Sequence, residues 1–173
     1  MNTKTERKPA GQPGGPRFER SEHPLLLAGL RERFTTGTVS RIPALWQRFA
    51  PDIGRIPGQV GQVAYGVSFN PVKGTNRFDY LAAVQVTSFT GLPAKWSQVS
   101  VPSGQTFAIF PHHGLASAFS ETAGAVLCGW LPKSGREPGG TAADAPSFFE
   151  RYSEEFNPRT GLGGMELWLL LRD

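Results

Sequence analysis

Within the closing stretch GGMELWLLLRD, residues 163–173, one carboxylate, Glu166, stands in a run of Met, Leu and Trp. Strand alternation puts Glu166 on the face of Trp168 and Leu170, with Met165, Leu167, Leu169 and Leu171 on the other, so both faces are apolar. A carboxylate in such surroundings either has a partner or costs several kcal/mol. Burial favours its neutral form, which suits a general base, whereas a cationic ligand restores the charge. The plainer alternative is a strand that begins at Glu166, its carboxylate at the wet edge or paired to an arginine such as Arg151 or Arg159.

Aromatic residues offer the complementary chemistry, since flat rings bind flat or cationic guests by stacking and cation-π attraction. In SFFERYSEEF the spacing of Phe148, Phe149 and Tyr152 predicts a shared face of a short acidic helix capped by Ser147. Tyr152 alone of that group has a hydroxyl to offer. Tyr65, Phe69, Tyr80, Trp130 and Trp168 are further candidate walls, each also fit for ordinary core packing. His112 and His113 in PHHG point to opposite faces of a strand and have no third ligand at a useful spacing, so a metal site is not expected. One of them should be satisfied at the strand-to-helix corner. Cys128, the single cysteine, excludes an intrachain disulfide and reads as a buried structural thiol. The glycines of GLGG, residues 161–164, precede a strand and read as a turn, because a phosphate loop must open a helix.

The elements that must carry these residues follow from periodicity. HPLLLAGLRERFT reads as a strand, and SRIPALWQRFAPDIGRI as a helix with Ile42, Leu45, Trp46 and Phe49 on one face and Ser40 as its cap. VAYGVSFN and FDYLAAVQVTS, separated by PVKGTNR, read as a hairpin. A strand around Thr106 to Phe110 follows the break at Pro102 to Gly104, and GLASAFSETAGAVLCGWLP reads as a second helix weakened by Gly124 and Gly129, with Leu115, Phe119, Thr122 and Val126 at helical spacing. Strand, helix and strand thus recur in an α+β plan with antiparallel return strands.

Lys4, Arg7, Lys8, Arg17 and Arg20 against Glu6 and Glu19 give residues 1–20 a net charge of +3, leaving only about +1 of the formal +4 for the rest. Residues 1–22 therefore read as a disordered basic tail, and residues 23–173 as one domain with halves at about 24–95 and 96–173. The basicity of the whole chain is a weak argument for nucleic acid, and direct nucleic-acid binding is not expected. No apolar stretch suits a signal peptide or a membrane span, so a cytoplasmic protein is expected.

IPALWQRF, YGVSFNP, FDYLAAVQV, VPSGQTFAIFPHHG, GWLPKSG, FERYSEEFNP and GGMELWLLL resemble, in order and spacing, the GyrI-like small-molecule-binding domain, also called the AraC-type effector-binding domain. The resemblance covers roughly residues 25 to 173. It implies a pseudo-twofold repeat of strand-helix-strand-strand units with a ligand cleft between them and no cofactor. Glu166 matches the terminal glutamate of the family, which the resemblance puts at the cleft floor, and FERY favours Tyr152 beside it. The expected function is binding of a hydrophobic, aromatic or cationic small molecule anchored by Glu166, for sensing or sequestration. Tyr152, Trp168, Tyr65, Phe69, Tyr80, Phe148 and Trp130 are the other candidate contacts. The same resemblance keeps open a hydrolase of cyclopropane-type rings, with Glu166 activating water and Tyr152 orienting or protonating, and a protein that acts on a regulator or a gyrase-like partner.

Overall fold

The computed structural model describes residues 15–140 and 146–173. Ten regular elements follow in chain order: β1 (Arg17–Arg20), β2 (Leu25–Thr35), α1 (Ile42–Phe49), β3 (Gln59–Phe69), β4 (Arg77–Val86), β5 (Ser97–Val101), β6 (Thr106–His112), α2 (Phe119–Gly124), β7 (Pro146–Tyr152) and β8 (Met165–Leu171). The strands form one antiparallel sheet in the order β1-β6-β8-β7-β3-β4-β2-β5. The fold class is α+β, as the alternation of patterns implied.

The sheet curls because its two ends are tied together. Only residues 102–105 join β5, at one end, to β6, next to the other, and a link that short spans less than about 20 Å. Ser21, between β1 and β2, donates its N–H to the Gln105 carbonyl at 2.9 Å and accepts from Gly104 N–H at 2.7 Å. Its hydroxyl accepts from Gln105 N–H at 3.0 Å. Residues 17–35 thus run beside residues 97–112 across the seam.

Directly paired residues share a face of the sheet, so the register sorts every side chain. The row Ala82, Gly66, Glu150, Leu167 and Phe110 crosses β4, β3, β7, β8 and β6 on the face that carries the helices. The row Ala83, Tyr65, Arg151, Glu166 and Pro111 crosses the same strands on the inner face of the curl. That inner face is filled by Leu27, Val67, Leu81, Val99, Phe107, Ile109, Phe149 and Leu170, drawn from strands at both ends of the sheet. On the helix face, Leu45 and Phe49 of α1 pack on Tyr80, Ala82 and Val84. Phe119 and the following Val126 pack on Ala108, Phe110, Leu167 and Leu169. Between the two packed patches runs a strip of β3 and β7, made of Ala64, Gly66 and Ser68 beside Phe148, Glu150 and Tyr152.

Several expectations are corrected. The sheet begins at Arg17, inside the segment read as a disordered tail, while residues 1–14 of that reading lie outside the described residues. SFFERYSEEF is not a helix: its first half is β7, which fills the gap between β3 and β8. Ser40 does not cap α1, since it lies in a short 3-10 turn and the helix starts without a side-chain cap. Cys128 is exposed, as is Leu115. The second helix is short, and with Gly124 and Gly129 in its path the chain widens into a π-helical turn over Ala125–Trp130. No helix among the described residues is long and apolar enough to cross a membrane.

Candidate functional site

Glu150 projects from the middle of β7 onto the helix face, in the strip between α1 and α2. Its Oε2 accepts a hydrogen bond from the Tyr80 hydroxyl at 2.9 Å and a second, short one from the Tyr152 hydroxyl. Trp46 of α1 in turn donates its indole N–H to the Tyr80 oxygen at 3.1 Å, which aims the Tyr80 proton at the carboxylate. Among the described residues no protein donor reaches the other carboxylate oxygen, Oε1, and no side-chain polar atom is both buried and unpaired. That oxygen is therefore open to solvent or to a guest.

The donors to Glu150 are neutral, and this governs its charge. Burial raises its pKa, the tyrosine hydroxyls lower it by less, and the result is about 7. Near neutral pH the group is poised between acid and base. Burial first, and the carboxylate second, hold both Tyr80 and Tyr152 well above the ordinary phenol value, so they act as donors. The floor beneath is made to fit: a Cβ at Gly66 would come within 2.1 Å of the Tyr80 hydroxyl and 2.8 Å of Glu150 Oε2. Aromatic rings close over the group, Trp46 lying edge-on at 5.2 Å from Tyr152 and Tyr152 at 4.8 Å from Phe156.

Of the residues expected at the site, Tyr80 and Tyr152 meet at Glu150, and Phe148 lies on the same face one step along β7. Trp130 packs against Phe110 at 5.0 Å, over β6, which is two strands from β7. Tyr65, Phe69 and Trp168 point into the curl as core, Trp168 stacking on Phe149 at 5.9 Å. Glu166 also faces that side, and this corrects its expected partnership with Tyr152. Tyr152 pairs with Met165, so Glu166, one residue on, projects through the other face.

Glu166 already has partners. Arg17 of β1 donates to it at 2.6 Å, Trp168 Nε1 at 2.9 Å, and Arg151 stands at 3.5 Å. Burial opposes its charge, but the bonds from Arg17 and Trp168 outweigh that and hold its pKa below the usual value. Of the two arginines named from the sequence Arg151 is the one within reach, while the closer partner, Arg17, was not foreseen. Glu150, by contrast, was missed: within the expected acidic helix it had no assigned role, whereas β7 aligns it with Phe148 and Tyr152. The signal available was the alternation of Phe148, Glu150 and Tyr152 at period two.

At the other end of the inner face, Asp79 is 2% exposed. Arg33 donates to it at 2.8 Å, Asn70 at 2.8 Å, and Arg31 closely as well. His112 is satisfied at the corner between β6 and α2, with Thr122 Oγ1 2.8 Å from one ring nitrogen and the Leu115 carbonyl 2.9 Å from the other.

Residues 16–172 match the GyrI-like small molecule binding domain. The chain belongs to that family. The GyrI-like domain is 29% identical over 136 residues to the transcriptional regulator BrlR of Pseudomonas aeruginosa, covering 78% of this chain but 47% of the regulator. It thus spans about half the length of that curated relative. SAV2435 bound to tetraphenylphosphonium has the same fold, with a TM-score of 0.66 at 18% identity over 91% of this chain and 93% of the other. The C-terminal domain of EcmrR is similar at a TM-score of 0.56 and 12% identity over 91% and 96% of the two chains. This is a small-molecule-binding domain of the kind found in transcription regulators.

Proposed function

We propose that the strip between α1 and α2 is the ligand cleft of this GyrI-like domain, with Glu150 as its polar anchor, and that its ligand is an aromatic cation. The observation that carries the reading is the Glu150 carboxylate itself, held by two tyrosine hydroxyls through one oxygen, open at the other, and flanked by the rings of Tyr152 and Phe156. Aromatic faces favour a cation, and a carboxylate in low dielectric completes the attraction. The likeness to SAV2435, described as bound to tetraphenylphosphonium, supports this ligand class. A pseudo-twofold repeat is part of the same reading. The sheet order runs β6-β8-β7 from one side and β2-β4-β3 from the other, each set with a helix between its first two strands in the chain. The role is sensing or sequestration, and a cytoplasmic setting goes with the likeness to a transcriptional regulator.

The test is calorimetric titration with tetraphenylphosphonium across pH. A cation needs ionised Glu150, so its affinity should rise as pH climbs through about 7, by up to about tenfold per unit below that value. Glu150→Gln should weaken binding at least about tenfold and flatten the pH profile. Wild-type affinity in Glu150→Gln would remove the anchor role.

One observation favours a second reading. A carboxylate poised near neutral pH beside the Tyr152 hydroxyl suits general acid-base work: Glu150 takes a proton from water as the water oxygen bonds to a ring carbon, the ring C–C bond breaks, and Tyr152 gives its proton to the released side and regains one from Glu150. This moves the hydrolase alternative from Glu166 to Glu150. Mass spectrometry of a cyclopropane-bearing alkylator incubated with wild type and Glu150→Gln decides it, and equal product from both excludes it.

A further inference from the structure

We propose that Trp46 determines which ligands the cleft accepts, because its indole stands over Glu150 where an aromatic group of the ligand would lie and must swing out for binding. The inference rests on the reading of Glu150 as anchor and concerns how that anchor is reached. Trp46 projects from α1 between Leu45 and Phe49; Leu45 is buried against the sheet and fixes the helix, while Trp46 is half-buried. The ring therefore stands on a firm backbone with part of its surface toward solvent.

Its contacts narrow the way to Glu150 without sealing it, since Trp46, Glu150 and Tyr152 are all part-buried. The indole meets Tyr152 edge-on at 5.2 Å and Phe49 at 6.1 Å, Tyr152 meets Phe156 at 4.8 Å, and the indole N–H is engaged by Tyr80. The surface hollow of about 300 Å³ lined by Glu32, Arg41, Ala44, Gln47 and Arg48 lies on the outer side of α1, away from Glu150. A bulky cation reaches Glu150 only if a ring moves. Tyr152 is held by the β7 ladder on both sides and by its bond to the carboxylate, whereas Trp46 is held by one hydrogen bond between neutral groups and by ring edges. Trp46 is the ring that yields.

Its departure leaves the Tyr80–Glu150 bond in place, so the anchor survives opening. The closed indole competes with the ligand, and apparent affinity falls by the closed fraction. A four-ring cation must expel Trp46 fully and bears the whole cost, whereas a narrow flat cation lying beside the indole bears little of it. Trp46 thus favours narrow ligands over bulky ones.

Titrating wild type, Trp46→Phe and Trp46→Ala with tetraphenylphosphonium tests this, with thermal melts to verify folding. Trp46→Ala should bind about tenfold tighter than wild type, and Trp46→Phe, which keeps a ring but loses the N–H, should fall between. Wild-type emission should shift to the red on binding as the indole enters water, a shift missing from Trp46→Phe. Equal or weaker binding by folded Trp46→Ala overturns the proposal and makes Trp46 a fixed wall, and if Trp46→Ala does not fold, Trp46→Phe binding no tighter than wild type does the same. If that happens while Glu150→Gln still loses the ligand, the gate fails and the anchor stands. No binding by any of the three proteins overturns both.

Discussion

Asp79 is buried and Glu150 part-buried, yet their pKa values move in opposite directions because of what donates to them. Burial opposes the charge of Asp79, but Arg33, Asn70 and Arg31 outweigh it and lower its pKa from 3.8 to about 2. Glu150 receives only neutral hydroxyls, and burial wins, raising it from 4.5 to about 7. The consequences for stability have opposite sign. The folded state of Asp79 binds fewer protons than the unfolded, so its contribution is full above pH 3.8 and is lost as pH falls through about 2. The folded state of Glu150 binds more, so stability is full below pH 4.5 and declines as pH rises to about 7, beyond which it is level. Urea denaturation at a series of pH values checks both. Asp79→Asn should cost about 2 kcal/mol at pH 6 and flatten the acid limb. Glu150→Gln should remove the decline between pH 4.5 and 7, making the protein relatively more stable at pH 8.

At the scale of elements, β7 explains why the anchor was not legible in the sequence. Phe148 and Tyr152 are four apart, which puts them on one face of a helix and also on one face of a strand. The spacing could not choose, and the flanking Pro146, Ser147 and Pro158 resembled helix punctuation. What chose was the empty place between β3 and β8, a long-range fact that local pattern does not contain. The hairpin of β3 and β4 and the helix at Ile42 were legible because their patterns are bounded by turn residues, and the last strand because it is a short apolar run behind the turn of residues 161–164. β1 was hidden for a different reason, since all of its residues are exposed and it is held by its ladder to β6, the Arg17–Glu166 pair and the packing of Phe18 on Trp130 at 6.4 Å. Removing residues 1–20 should leave β6 an open edge and Glu166 with Arg151 as its remaining arginine. We expect a melting temperature lower by several degrees, by about 1–2 kcal/mol on the scale of a small domain, and concentration-dependent association in size-exclusion chromatography. Ligand binding at Glu150 should persist.

At the scale of the molecule, the two halves do not have separate cores. The inner face is filled jointly by Leu27, Leu81 and Val101 from one side and Phe107, Phe149 and Leu170 from the other. Neither set is covered without its counterpart, so the protein should unfold in one step, with far-ultraviolet circular dichroism and tryptophan emission tracing coincident curves in urea. A fragment of residues 23–95 should remain unfolded by circular dichroism. The α+β plan was legible from the order of motifs, whereas the curl was not, because it depends on Ser21 meeting Gly104 and Gln105 across the seam.

The arginine clasp on Glu166 also bears on how the sheet finds its alignment. Strand β8, MELWLLL, is apolar on both faces, with Met165, Leu167, Leu169 and Leu171 on one and Trp168 and Leu170 on the other. Such a strand could slide by one residue against β7 and still bury grease on either side, since hydrophobic pattern alone distinguishes the two alignments weakly. Glu166 breaks that degeneracy. In the native alignment it meets Arg151 directly and Arg17 from the edge, whereas a slip of one residue would thrust its charge among Phe119, Val126 and their neighbours beneath α2. The lone charge in the strand acts as a spelling check during assembly, making the misaligned sheet costly before it can close.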